Sequence, residues 1–214
     1  MDRQFDAITF DCYGTLIDWE SGIANAFIEA GLDRKREEIL QAYAEMEPLV
    51  EGERYQLYRD VLTETAMRVG SKFGWQTDGA FLAESLPRWK PFGDTNPSLE
   101  RLVAAGYRLG ILSNVDDVLI AATRRHFTVD FDLIITAQQV RSYKPASAHF
   151  LAAREALGSA RWLHAAQSNF HDIVPANALG IPNAWVNRPG QTALAGGTPT
   201  FEVKDLAGLA DALT

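Results

Sequence analysis

The chain has 214 residues, 47% of them hydrophobic, and a formal net charge of -8, enough for one sizeable core plus a smaller subdomain. An acidic balance without clustered Lys or Arg argues against nucleic acid or an anionic membrane as partner, because both bind chiefly through cationic contacts, and leaves a small molecule as the partner it suits. The single cysteine, Cys12, excludes an internal disulfide and agrees with a reducing compartment, and neither a signal-peptide layout nor a bilayer-length apolar run is present, so the expected location is cytoplasmic.

The first apolar run, DAITF, reads as a buried strand and delivers Asp11 at the head of DCYGTL. From about residue 17 to 95 no convincing strand follows; the interval is rich in helix formers, as in RKREEILQAYAEMEPLVEGERYQLYRDVLTETAMRVGSKFG. That is too long for a βα crossover, and an inserted helical cap accounts for it. The exit is WKPFGDTNPSLERL, where Pro91, Gly93 and Pro97 break the helical period and Thr95 or Asn96 is expected to cap a helix beginning at Pro97. Beyond it, YRLGIL, DLIIT, WLHAAQ, NAWVN and a weaker TFEV recur as short β-rich runs between helical segments. The alternation predicts an α/β fold: a doubly wound, Rossmann-like parallel sheet formed by residues 1–16 and 95–214, with residues 17–94 as an inserted helical cap subdomain.

In such sheets functional groups gather at the carboxyl ends of the strands. Those ends offer Asp11, then Ser113 and Asn114, then Lys144, then Gln167, Ser168, Asn169 and Asp172. Each has an ordinary alternative: Asp11 as a loop residue, Asp172 as the N-cap of IVPANALG, Ser113 and Asn114 as turn residues, Lys144 as a solvated loop charge. Their convergence on one rim favours a site. His126, His149 and His164 lack ligand spacing and read as structural. Trp19, Trp75 and Trp89 near the cap boundary read as core by default. The acidic run EMEPLVEGE reads as a solvated helix face; were Glu45, Glu47, Glu51 or Glu53 to face Asp11, the pocket would suit a substrate with a cationic part.

The ordered motifs DCYGTL, LSN (112–114), SYKP (142–145) and QSNFHD (167–172) resemble the haloacid dehalogenase (HAD) superfamily, and the helical interval lies where that superfamily places its cap. Tyr13, LSN, SN followed by an acid, and the tail GIPNAWVNR are similar to the L-2-haloacid dehalogenase (type II) subgroup more than to the phosphatases. The resemblance implies a hydrolase that needs no metal or cofactor and displaces a substituent, a halide in that subgroup, at C2 of a small carboxylate through an ester on Asp11. On that reading Asp11 is the nucleophile, Lys144 keeps it ionised, Thr15 hydrogen-bonds it, Asp172 directs water onto the ester, and Asn169 holds the acyl oxygen or the water. Cys12, Tyr13, Ser113, Asn114, Gln167, His171 and Arg54 are the candidate substrate contacts, with Ser113 and Asn114 as donors to the substrate carboxylate.

Two replacements separate this chain from the phosphatases: Gln167 stands where they carry a magnesium-binding acid, and Tyr13 where they carry the acid that protonates the leaving group. Other positions depart from the dehalogenases. The stretch QAYAEMEPLVEGE lacks their halide-binding cap arginine, so Arg54 or Arg59 would have to reach the pocket, and Phe150, Gln167 and His171 replace a tyrosine, a serine and a tryptophan. Alternatives therefore stay open: hydrolytic C–N opening of a cyclic amino acid by the same ester mechanism, a magnesium-dependent small-molecule phosphatase, and, least favoured, a non-catalytic HAD-like binding protein. An apolar cap surface could support a homodimer.

Overall fold

The computed structural model describes residues 3–214. Six strands, β1 (Ala7–Phe10), β2 (Arg108–Ser113), β3 (Leu133–Thr136), β4 (Trp162–Ala166), β5 (Asn183–Val186) and β6 (Phe201–Val203), form one sheet in the order β3-β2-β1-β4-β5-β6. Every pairing is parallel. All residues of β1, β4 and β5 are buried, which is why their sequences read as continuous apolar runs rather than alternating ones. Phe10 of β1 lies opposite Ile111 of β2 and Ala165 of β4, so the chain leaves these three neighbouring strands along one edge, at Asp11, Asn114 and Gln167. Strand order reverses between β1 and β4, the switch point at which doubly wound sheets open a crevice.

Between β1 and β2 the chain forms α1 (Trp19–Glu29), α2 (Arg36–Glu53), α3 (Tyr58–Lys72), α4 (Ala80–Ser85), a 3₁₀ turn at Leu86–Arg88, and α5 (Thr95–Ala104). Helix α5 begins at Thr95, two residues before Pro97, the start expected from sequence. Its N-cap is Asp94, whose carboxylate serves other segments: it accepts from Arg188 and from the Leu206 N–H. The remaining helices are α6 (Asp117–Thr123), α7 (Ala137–Val140), α8 (Ala148–Leu157), α9 (Val174–Ala178) and α10 (Leu206–Leu213). Alternation along β1 sends Ile8 and Phe10 into a cluster with Leu99 of α5 and Leu209 of α10, and Ala7 into another with Phe150 of α8 and Ala176 of α9. Helices thus cover both faces.

The helical insertion leaves and re-enters the core side by side. Asp18 N–H donates to Lys90 O at 2.9 Å, and Phe92 N–H and Thr95 Oγ1 donate to Leu16 O at 3.1 and 2.8 Å. Across the rim, Asp116 accepts from the N–H groups of Tyr58 and Arg59 at 2.7 and 3.1 Å and pairs with the Arg59 guanidinium at 3.0 Å. A carboxylate there satisfies orphan donors of the first turn of α3 and complements its dipole, which locks the insertion over the strand ends. Tyr143 Oη adds a 2.6 Å bond to Gln56 O. Among the described residues no helix is long and apolar enough to cross a membrane.

Candidate active site

Asp11 follows β1 directly and enters a tight loop in which the Leu16 and Ile17 N–H groups both donate to Cys12 O. The loop turns at Gly14 (φ +98), where a Cβ would lie 3.1 Å from both Gln167 Oε1 and Trp19 Nε1, so position and conformation both require glycine. The turn carries Thr15 back onto the nucleophile candidate. Thr15 Oγ1 accepts from Gln167 N–H and donates to Asp11 Oδ2, each at 2.9 Å.

Lys144 is 2% exposed, and its ammonium donates to Asp11 Oδ1 at 2.9 Å, Asp172 Oδ1 at 2.6 Å and Leu112 O at 2.9 Å. Three donors meet three acceptors, which satisfies the charge completely. The Asn114 amide fixes the backbone of Lys144, accepting from its N–H at 2.7 Å and donating to its carbonyl at 3.1 Å. Asp172 sits in a π-helical turn, Asn169–Ile173, after β4. Its Oδ1 also accepts from His164 Nε2 at 3.0 Å, and the other ring nitrogen lies 2.9 Å from Thr9 Oγ1. Its buried Oδ2 makes no hydrogen bond to the protein.

These contacts divide the two acids. Burial works to raise both carboxyls. For Asp172 the Lys144 charge and the His164 hydrogen bond outweigh burial and hold it well below the usual carboxylate range. For Asp11 burial, opposed by Lys144 and reinforced by the charge of Asp172, leaves the carboxyl raised. Burial also works to lower the Lys144 ammonium, but its two carboxylates dominate and its pKa is raised. Of the two acids, Asp172 is therefore the firmly ionised one and Asp11 the more basic.

Between this rim and the helical cap lies a cavity of about 260 Å³. From the core it is lined by Asp11, Tyr13, Ser113, Lys144, Gln167 and Asp172, among others, and from the cap by Trp19, Tyr43, Glu47, Glu51, Tyr58 and Trp89. The four cap acids divide. Glu45 pairs with Lys72 and Glu53 with Arg68 on the outside, whereas Glu47 and Glu51 face the cavity. Glu47 Oε1 accepts from both Tyr43 Oη and Tyr58 Oη, at 2.6 and 2.5 Å. Burial, then repulsion from Glu47, pushes Glu51 up to about 8 against the opposing pull of Lys144.

Of the residues singled out from sequence, Asp11, Tyr13, Ser113, Asn114, Lys144, Gln167, His171 and Asp172 line this one cavity, with Thr15 directly behind Asp11. Three others lie elsewhere. Cys12 is fully buried in the core, where burial raises its thiol. Asn169, expected at the acyl oxygen or the water, instead anchors the loop after β5: its amide donates to Gly197 O at 2.8 Å and accepts from Leu194 N–H at 3.1 Å. Arg54 is exposed at the C-cap of α2 and does not line the cavity, and Arg59 is held by Asp116. Tyr13 is a wall rather than a proton donor, since its hydroxyl is bonded to Thr123 Oγ1 at 2.7 Å.

Sequence reasoning missed His164, which touches Asp172. The available signal was a polar side chain inside an otherwise apolar central strand, which must find a partner. The acidic run EMEPLVEGE is not a wholly solvated face: Ile39, Tyr43, Glu47 and Glu51 recur every fourth residue, which sets Glu47 and Glu51 on the side of buried Ile39 and Tyr43. The donors around Asp11 do not fit a divalent cation, because the Lys144 ammonium bridges the two carboxylates and position 167 offers only a neutral amide.

A family model for haloacid dehalogenase-like hydrolases matches residues 5–167. An (S)-2-haloacid dehalogenase of Pseudomonas sp. (strain YL) is 31% identical over 212 residues, covering 93% of this chain and 90% of that protein. Among solved structures, an L-2-haloacid dehalogenase superposes with a TM-score of 0.88 at 23% identity, covering 98% of both chains. Another, from Xanthobacter autotrophicus with chloropropionic acid covalently bound, superposes with a TM-score of 0.81 at 22% identity, covering 97% of this chain and 98% of that one.

Proposed function

The chain belongs to the haloacid dehalogenase-like hydrolases, and from that premise we propose that it displaces a substituent at C2 of a small 2-substituted carboxylate through an ester on Asp11, without a metal, as L-2-haloacid dehalogenases do. One observation carries the reading: a buried lysine bridges Asp11 and Asp172 at 2.9 and 2.6 Å, while Asp172 Oδ2 is left without a protein partner.

The carboxylate of Asp11, held by Lys144 and Thr15, attacks C2. The C2–substituent bond breaks, and the substituent departs with the bonding pair. A good leaving group needs no proton, which agrees with the engagement of Tyr13 by Thr123. The buried, unpartnered Ser113 Oγ is the donor this reading assigns to the substrate carboxylate. In the second half, water attacks the ester carbonyl of Asp11, Asp172 Oδ2 takes its proton, and that proton passes to the departing 2-hydroxy oxygen. C2 is touched once, so its configuration inverts. Asp11 is restored as a carboxylate carrying one oxygen from water, and the second proton of that water leaves to solvent.

The same reading assigns residues 17–94 to the cap that closes the cavity and residues 1–16 and 95–214 to the core that carries the reacting groups, in a cytoplasmic protein. Exposed Leu49 and Met67 on the cap suit a homodimer, which light scattering reads. A metal-free screen of 2-haloacids, cyclic amino acids and phosphate esters, following halide, amine and phosphate together, tests the activity. Halide or amine release unaffected by chelator is expected; chelator-sensitive phosphate release alone would overturn the proposal.

A further inference from the structure

We propose that Glu47 and Glu51 form a cation subsite opposite Asp11, so that the preferred substrate is a zwitterion: a small 2-substituted carboxylate that also carries a protonated amine. This rests on the ester reading above for its orientation and goes beyond it in substrate class.

The cavity holds four carboxyl groups, Asp11, Asp172, Glu47 and Glu51, and among the described residues lining it Lys144 is the only lysine or arginine. All three Lys144 donors are spent on protein acceptors, so it has no proton left for a ligand anion. A halide leaving toward the cap would meet two acids and no cation. Glu47, which lines the cavity, is fixed in place as an acceptor by two phenols on the same oxygen, and its second oxygen is not used by either of them. Glu51 lies one helical turn on and also faces the cavity; burial, then repulsion from Glu47, raises its carboxyl, and an ammonium beside it would offset both.

A second, independent feature points to a ligand in the same cavity. Ser113 is 1% exposed, lines the cavity and has an Oγ with no hydrogen-bond partner. A buried hydroxyl is costly unless something completes it, and a ligand carboxylate does so. The cavity therefore presents a donor for an anion at the strand ends and acceptors for a cation at the cap. Its volume of about 260 Å³ suits a molecule of amino-acid size.

The test is equilibrium binding to the intact protein of product-like 2-hydroxy acids in isosteric pairs: 3-amino-2-hydroxypropanoate against 2-hydroxybutyrate, and 4-amino-2-hydroxybutyrate against 2-hydroxypentanoate. At least one amine should bind about tenfold or more tighter than its isostere, the scale of a charge-assisted hydrogen bond. Glu47→Gln with Glu51→Gln should bring the ratio close to one. Amines that bind no better than their isosteres, or not at all, overturn the subsite. The wild-type comparison needs no variant, and because it requires no chemistry, its failure is distinct from a failure of the Asp11 ester.

Discussion

The two walls of the cavity are built on different terms. On the core wall every charge is matched: Lys144 serves Asp11, Asp172 and a carbonyl, His164 backs Asp172, and Thr15 backs Asp11. On the cap wall, two acids face the cavity with phenols for support and, among the described residues, no cation in hydrogen-bond or ion-pair contact with either. A satisfied wall fixes the reacting groups in one geometry, whereas an unmatched wall stores a preference for what enters. On the proposed reading, the chemistry belongs to the strand ends and the choice of substrate to α2 and α3.

Breaking the core wall should have the largest effects. Asp11→Asn is expected to cut turnover by about 10³-fold or more, the scale on which loss of a nucleophile acts, with folding intact by circular dichroism. Asp172→Asn should cut kcat by about 10²- to 10⁴-fold, as for a lost general base, and should trap the ester, seen as a mass increase on the peptide containing Asp11. Lys144→Met should abolish turnover and lower stability by about 3–5 kcal/mol, because two carboxylates lose the partner of a buried ion pair; denaturant unfolding reads this.

Changes to the cap wall should leave the chemistry and move the selection. Facing Glu51 are Glu47, Tyr43, Tyr58, Tyr143 and Lys144. Its carboxyl is neutral below about 8 and ionised above it, so affinity for an amine ligand should rise between pH 7 and 9, and Glu51→Gln should flatten that rise. Stability carries the opposite sign. The folded chain keeps the Glu51 proton up to about 8, whereas the unfolded chain loses it near the ordinary 4.5. Stability contributed by this group is thus present below 4.5 and lost as pH rises toward 8, and Glu51→Gln should reduce that slope in thermal melts.

The same division explains what was legible in the sequence. The strands β1, β4 and β5 are legible because a buried parallel strand is a continuous apolar run, and Asp11, Ser113 and Asp172 follow from where strands end; β6, half-exposed with Glu202 at its centre, is the weaker signal, and Lys144, eight residues past β3, is legible from its motif SYKP rather than from a strand end. The start of α5 was displaced because Pro97 suits a first turn generally, not only its first residue. Asn169 was misassigned because its motif position says nothing of the loop at 194–197 that occupies its amide. Arg54 failed on geometry: the C-cap of α2 turns it to solvent. Glu47 and Glu51 were offered only as a condition, since composition made the run look solvated while four-residue spacing placed two of its acids on the face of Tyr43.

Single turnover in heavy-oxygen water, with enzyme in excess over a turned-over 2-haloacid and the Asp11 peptide read by mass, tests the central claim most directly. The account predicts that the label enters Asp11 on the first turnover and that the product leaves unlabelled. Label in the product with none in Asp11 would contradict it, since water would then have attacked C2 itself.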